Sequence, residues 1–373
     1  MDSNFLLVLL LLVLGLSLPL LIFLMRTLGT ILPYLYATAR IRAKEARLLK
    51  PEALEELVNT GSVAEIASLL ENTEYALAMQ GLVLENAESI EQLLERQSAD
   101  MFSEVASMMP DKVQAVFAFL RQQWDVRNLK ALVRGVRAGL SAERIMASLL
   151  PYGTLDPEFL KKMAEAAGIE DVLPLLEPTP YGELAQMLPA YEQAASLVPL
   201  ECALDRVLLE SMWRQVEAGG PLQVLQPSFA GRIDALNIKI LMRAKRDHLL
   251  LSDVEPYLVA GGAASQPLAR AFDEVDDVSA LASELEGTLY YKPVMDALAD
   301  YDRAGSLFAL EKALDETVLA IGRDTAVKQP YGIAPVLGFL ARKDVEVRNI
   351  RAIARAKEAG LAPECIHELV LNV

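Results

Sequence analysis

Little in this chain is equipped for chemistry. Its 373 residues hold two cysteines, Cys202 and Cys365, and two histidines, His248 and His367. Two cysteines exclude a disulfide framework and suit a reducing compartment. Two histidines cannot build a metal constellation or a Ser-His-Asp arrangement, and both lie near helix ends as surface residues. Glycine-rich phosphate loops are also missing. Neither G-x-x-x-x-G-K-(S/T) nor G-x-G-x-x-G occurs, and Gly219-Gly220 and Gly261-Gly262 read as turns. No catalytic, cofactor-binding or metal-binding residue is therefore expected. Positive charge is scarce as well. A net charge of −16 argues against nucleic acid, because phosphate neutralisation needs a basic face. It argues equally against an acidic membrane surface held by charge alone.

What the chain does have is repetition. The frame Leu-Glu-x-Thr-x-Tyr occurs three times, about 110 residues apart: Leu70 to Tyr75, Leu176 to Tyr181 and Leu285 to Tyr290. Two landmarks come after each copy in the same order. The first is a carboxylate pair at helical spacing, Glu91/Glu95, Glu201/Asp205 and Glu311/Asp315. The second is an acidic-x-x-Asn-(Leu/Ile)-basic segment: Asp125 to Arg134, Asp234 to Arg243, and Glu346 to Arg355. From Tyr to Glu to Asn the steps are 16 and 37, 20 and 36, and 21 and 38. A unit of this length exceeds a solenoid repeat, so each copy should be a small domain with its own core.

The periodicity predicts helix almost throughout. Apolar residues recur at i, i+3, i+4 and i+7, and strand-like alternation never lasts. Ser62, Gly168 and Asp277 stand as N-caps before matching stripes, and Ser62 with Glu65 makes a capping box. Asn72, Pro178 and Gly287 then stop the helix. The recurring Thr73, Thr179 and Thr288 are expected to cap the next helix, with Tyr75, Tyr181 and Tyr290 as packing anchors. The frame thus reads as architecture. Proline and glycine clusters place boundaries near residues 150 and 262, giving repeat domains at 34–150, 151–262 and 263–373.

Triplication argues against a catalytic carboxylate dyad. The basic pairs Lys130/Arg134, Lys239/Arg243 and Arg351/Arg355 sit at i, i+4 on helices whose first acidic residue suits the macrodipole. Two main readings compete. Each pair either meets the acidic pair of its own domain, or joins a ring of basic sites that receives an acidic or carbonyl-rich partner; plain solvated surface is the residual reading. Asn128, Asn237 and Asn349 read as buried polar links or local caps.

The N-terminus differs from the rest. Phe5 to Met25 is 21 residues without a charge, 12 of them Leu. At 1.5 Å per residue it is about 31 Å long, enough to cross the hydrocarbon core. The first residues carry Asp2 and no base, unlike a signal peptide. Basic residues from Arg26 to Lys50 come next, so the positive-inside rule puts the N-terminus outside and the bulk on the cytoplasmic side of the cell membrane. A transmembrane helix at 5–25 is the favoured reading; a cleaved signal, or a start at Met25, are the alternatives.

Tyr34-Leu-Tyr-Ala-Thr-Ala-Arg-Ile-Arg-Ala-Lys-Glu-Ala-Arg-Leu-Leu49 resembles the start of the C subunit of archaeal A-type and bacterial V-type ATP synthases, a relative of the d subunit of the eukaryotic V-ATPase. The three Asn-(Leu/Ile)-basic segments, and the closing stretch Val347 to Arg355 with Gly360-Leu361, look like that family's recurring helices. The resemblance covers roughly residues 34–373. It implies an all-α chain of three similar helical bundles in pseudo-threefold arrangement. It also implies a non-catalytic rotor subunit, one copy per complex, between the proteolipid ring and the central shaft. The 5–25 span departs from the usual pattern. On a turning subunit it is expected in the ring's lumen, since elsewhere it would sweep through lipid and strike the stator. The rival reading is a membrane-anchored helical scaffold unrelated to ATP synthesis.

Overall fold

The computed structural model describes residues 3–371 apart from 112, 114–116, 118–119, 151, 195 and 330–331. Within 3–30 it describes the side chains only of residues 15, 17, 21, 22, 24, 25, 28 and 29, and at 221 the backbone alone. Among the described residues the chain is all helical. A long helix, α1 (Ser3–Glu45), precedes the repeats. The first repeat holds α2 (Pro51–Asn59), α3 (Val63–Leu70), α4 (Ala87–Ser107), α5 (Gln122–Arg137) and α6 (Ala142–Ala147). The second holds α7 (Pro157–Ala164), α8 (Ile169–Leu175), α9 (Leu188–Ala194), α10 (Val198–Glu217), α11 (Gln226–Arg246) and α12 (Leu251–Val254). The third holds α13 (Gln266–Ala271), α14 (Val278–Ser283), α15 (Tyr291–Ala304), α16 (Phe308–Lys328), α17 (Ala334–Glu358) and α18 (Pro363–Leu369).

The capping chemistry is local. Ser62 Oγ accepts from Glu65 N–H, and Asp277 accepts from Ala280 N–H. The Glu65 carboxylate reaches the Gly61 N–H rather than that of Ser62, so the box is displaced by one residue. The frame threonines do not cap a following helix. Each hydroxyl donates to the carbonyl three residues back (Leu70, Leu176, Leu285) and accepts from the tyrosine N–H two residues on. That staple turns the chain sharply and drives the tyrosine inward: Tyr75, Tyr181 and Tyr290 are all buried. At the end of each Asn-bearing helix the chain enters the left-handed region, at Gly139, His248 and Gly360. Leu140, Leu249 and Leu361 then donate back to the carbonyls of Gly135, Ala244 and Ala356. His248 fills a position that glycine holds in the other two repeats.

Four apolar clusters form the interior. One joins α5 to α8 with the first half of α10, from Val126 to Val207. A second joins α11 to α15 with the first half of α16, from Ala235 to Leu314. The third joins α2, α3 and the first half of α4 with Val347 to Ile366 of α17 and α18, so its two parts come from opposite ends of the sequence. Residues 150 and 262 lie inside the spans of the first two cores: Leu149 and Leu155 pack on one, Leu258 and Ala264 on the other. The proline and glycine there shape loops that wrap a core.

The fourth cluster is a hub. It draws Met101, Phe102 and Val105 from α4, Met212 and Val216 from α10, Phe229 from α11, and Val336 and Phe339 from α17. Ala37 and Ile41 of α1 are fully buried in it. Arg40 and Lys44 both reach Glu104 of α4, at 3.0 and 2.6 Å, and Glu45 pairs with Arg342 of α17. The apolar run at 5–25 lies on α1, but most of its side chains fall outside the described residues. Among those described, no helix is long and apolar enough to cross a membrane.

Removing Ile41 side-chain volume should unseat α1 from the hub. Ile41→Ala is expected to cost about 2–4 kcal/mol in urea denaturation, by analogy with other buried large-to-small changes. Acid should act on the same joint. Burial works to raise the Glu104 carboxyl, but bonding to Lys44 and Arg40 wins and holds it below its ordinary value. Its contribution is therefore complete above the ordinary carboxylate pKa and is lost as pH falls through the lowered one. Proteolysis near residues 26–50 should accelerate over that acid range, and Glu104→Gln should remove the dependence.

Candidate functional site

The repeated landmarks come together at three joints, and the partners differ from those expected. Lys130 and Arg134 of α5 do not meet Glu91 and Glu95 of their own repeat. Lys130 bonds Asp205 at 2.6 Å, and Arg134 makes a two-pronged pair with Glu201 at 2.7 and 2.7 Å. Lys239 likewise bonds Asp315 at 2.6 Å, and Arg243 forks onto Glu311 at 2.6 and 2.8 Å. The third basic pair returns to the start of the chain. Arg355 bonds Glu91 at 2.7 Å, and Arg351 approaches Glu91 and Glu95 at 3.1 and 3.7 Å. Each basic pair thus serves the acidic pair of the next repeat, and the last serves the first. The pairing is cyclic.

The frame tyrosines obey the same rule. Tyr181 donates to Asp125 and Tyr75 to Glu346, while Tyr290 donates to the Gly231 carbonyl on the turn before Asp234. Burial, reinforced by the nearby carboxylate, pushes all three phenols above their ordinary value, so each remains a donor. The acidic residue three before each asparagine organises a loop; only Asp125 lies in the first turn of its helix, whereas Asp234 and Glu346 sit inside α11 and α17, which begin earlier than the macrodipole reading expected. Asp125 accepts from the N–H groups of Thr154 and Leu155, and Asp234 from those of Ala263 and Ser265. Gly262 lies so near that a Cβ would come within 2.5 Å of the Asp234 carboxylate, and its φ is +70°. At Glu346 the N–H comes instead from Leu49, at 2.5 Å.

The asparagines form the most regular element. Asn128 donates to the Leu150 carbonyl and accepts from the Leu150 N–H; Asn237 does the same with Val259 and Asn349 with Leu371. The offset is 22 residues every time. A primary amide sets an N–H donor beside a carbonyl acceptor at the spacing of a peptide unit, so it pairs with a backbone segment as a strand would. All three are buried, which makes these bonds costly to lose.

The closing joint departs from the other two. Bonding to Glu91 raises the Arg355 pKa as bonding to Glu201 and Glu311 raises Arg134 and Arg243, but Arg351, which stands where the other joints have Lys130 and Lys239, is lowered by burial. Its Nε and Nη2 lie within ion-pair reach of the acids but make no hydrogen bond, and burial raises Glu95. Beside it stands a set that the repeated landmarks do not mark. Lys343 is 3% exposed and bonds Glu346 at 2.6 Å, the Tyr75 hydroxyl at 2.9 Å, and Glu74. Its ammonium also lies 4.1 Å over the Tyr75 ring. The available signal is a break in repetition. Glu74 stands where the other frames have Pro180 and Leu289, and Lys343 where the other helices have Gln122 and Gly231.

Among the described residues no group of His, Cys, Asp or Glu could hold a metal ion. The joints build a body, and comparison with known proteins says which kind. The model of the ATP synthase (C/AC39) subunit family matches residues 37–369. The chain belongs to that family. It is 36% identical over 341 residues to the C subunit of the A-type ATP synthase of Methanothermobacter thermautotrophicus, covering 90% of this chain and 86% of that protein. The corresponding C subunit of Methanocaldococcus jannaschii is 32% identical over 346 residues, covering 91% and 87%. That of Methanobrevibacter smithii is 33% identical over 347 residues, covering 91% and 88%. The family match leaves the apolar run outside it.

The clamps and the outer ion pairs of this C/AC39 chain should differ sharply in worth. Asn237→Leu leaves a buried backbone N–H and carbonyl unpaired, and should cost about 2–3 kcal/mol in denaturant unfolding. Arg243 is 57% exposed in its pair, so Arg243→Ala should cost less than about 1 kcal/mol. Equal losses would contradict this ranking.

Proposed function

We propose that this chain is a non-catalytic rotor subunit of an A/V-type ATP synthase. On this reading it links the proteolipid ring to the central shaft, one copy per complex, in ion-driven synthesis or ATP-driven pumping. The observation that carries the reading is the cyclic pairing of three equivalent repeats around one hub. A single subunit placed on a rotation axis meets the same partner at every angle best when its own surface repeats around that axis. Torque must also cross it without loss. The joints supply stiffness: paired helices, forked ion pairs and buried amide clamps, with the three units in pseudo-threefold arrangement.

The basic pairs then serve the joints between repeats. Lys130, Lys239 and Arg351 are largely covered, while Arg134, Arg243 and Arg355 keep more than half their surface open on the outside of each joint. That leaves little free charge there for an acidic partner.

The reading extends to the N-terminus. The helix bearing the apolar run continues into the hub, where all three repeats meet, so the span would leave the body close to its axis. A span at 5–25 inside the ring's lumen, with the N-terminus outside and the body on the cytoplasmic side, fits that direction and the basic residues after it. A span outside the ring would meet the stator on every turn. Cysteines placed at Leu10 or Leu20 in the assembled complex should cross-link to the inner helices of the proteolipid ring. Adducts with the stator's membrane subunit would overturn the lumen assignment. Failure of the chain to co-purify one-to-one with a proteolipid ring would overturn the rotor reading itself.

A further inference from the structure

Triplication creates an ambiguity that the fold has to resolve. Because the landmarks repeat, two complete pairings are available. In the cyclic one, each Asn-bearing helix joins the next frame: α5 with Tyr181, α11 with Tyr290, α17 with Tyr75. In the in-line one, each helix would join the frame of its own repeat: α5 with Tyr75, α11 with Tyr181, α17 with Tyr290. Both offer a basic pair to an acidic pair and a tyrosine to the turn that carries the acid of an Asn-bearing helix. The in-line pairing is also nearer in sequence. Glu91 and Arg355 are 264 residues apart, and loop closure costs more as the loop lengthens. The N-terminal frame leaves the ribosome long before α17 exists. Something must set the cyclic order apart.

Two positions distinguish the joints. Glu74 is buried with 9% of its side chain exposed, and Lys343 with 3%. In the cyclic pairing they meet, with Glu346 and the Tyr75 hydroxyl completing the set. In the in-line pairing Glu74 would lie against Gln122, and Lys343 against Leu289. Glu74 would then be a carboxylate shut away from water with no cation, and Lys343 would keep only Glu346 of its own helix, an unfavourable state for Glu74 above all. We propose that Lys343 and Glu74, with Glu346 and Tyr75, form a charge key that fixes the cyclic order of the repeats. The key adds little net stability, since a buried ion cluster roughly balances its own desolvation; it penalises the wrong partner. The other joints close without a charge at this position. There the tyrosine donates to the backbone carbonyl at the position equivalent to Lys343, Gln122 or Gly231.

The test exchanges the key for the neutral residues those joints use. Glu88 and Glu358 face one surface hollow at the closing joint. In-line pairing would bring Glu88 near Arg137, which occupies on α5 the place of Glu358 on α17. Two probes are made in the full chain, with Cys202→Ser and Cys365→Ser: Glu88→Cys with Glu358→Cys, and Glu88→Cys with Arg137→Cys. Each is unfolded in urea, refolded in detergent, treated with a short dimaleimide and mapped by peptide mass. With the key intact, only the 88–358 product should form. With Lys343→Gln and Glu74→Leu added, the 88–137 product should rise by about tenfold or more, because the two orders lose their charge discrimination. Formation of the 88–358 product alone in that variant would overturn the proposal. So would absence of both products, since a neutral joint patterned on the other two should still close.

Discussion

Each Asn-bearing helix is packed into the core of the repeat that follows it in cyclic order, and the rest of the structure depends on that exchange. Were α5, α11 and α17 to serve their own repeats, the chain would be a row of three bundles with free ends. Because they serve their neighbours, α17 must return to α2, α3 and α4, and the row becomes a ring. The hub follows from the same exchange. The second halves of α4 and α10 and the first half of α17 extend past their own cores, and their apolar residues converge with α1 on one cluster. Burial of that cluster is where the ring recovers the entropy of closing a loop of several hundred residues.

The polar groups at the joints divide the work by depth. The outer forked pairs lie in partial contact with water, so they orient helices and contribute little net energy. The asparagine clamps lie inside, where an unmade bond is expensive, so they fix the loop 22 residues downstream without a sheet. The buried acid three residues before each asparagine gathers a neighbouring backbone segment against it, and the deep tyrosine closes the gap. A single structural motif therefore combines a steering contact, a rigid clamp and a packing anchor. Stiffness of that kind is what a subunit passing torque would need.

Helix identity was legible because it is written locally. The apolar period, the caps at Ser62, Gly168 and Asp277, and the stops after each frame all depend on residues within a turn or two. The count of repeats was legible from the landmarks alone. Partner choice was not. Lys130 and Arg134 are chemically suited to Glu91 and Glu95 as well as to Glu201 and Asp205, and symmetry among copies makes the alternatives equal on paper. Proximity in sequence pointed to the same-repeat acids, and long-range packing prevailed. Residues on either side of the expected boundaries at 150 and 262 pack on shared clusters. Glycine and proline mark where the backbone turns, and here it turns around a buried aspartate within a core, not between cores.

Symmetry in a repeat protein solves one problem and creates another. Equivalent units give a body that presents the same face around an axis, yet equivalence also removes the information that tells one joint from the next. The only chemistry able to restore it is chemistry that one copy has and the others lack. In this chain that difference is concentrated at the joint where the two ends of the sequence meet. Leu49 supplies the loop N–H to Glu346 there, and Lys343 and Glu74 bring buried charge. A neutral joint would pack as well, as the other two do, but it would accept any frame. A charge in a dry interior is intolerant of the wrong neighbour, and that intolerance is what an otherwise repetitive chain needs in order to close in one order.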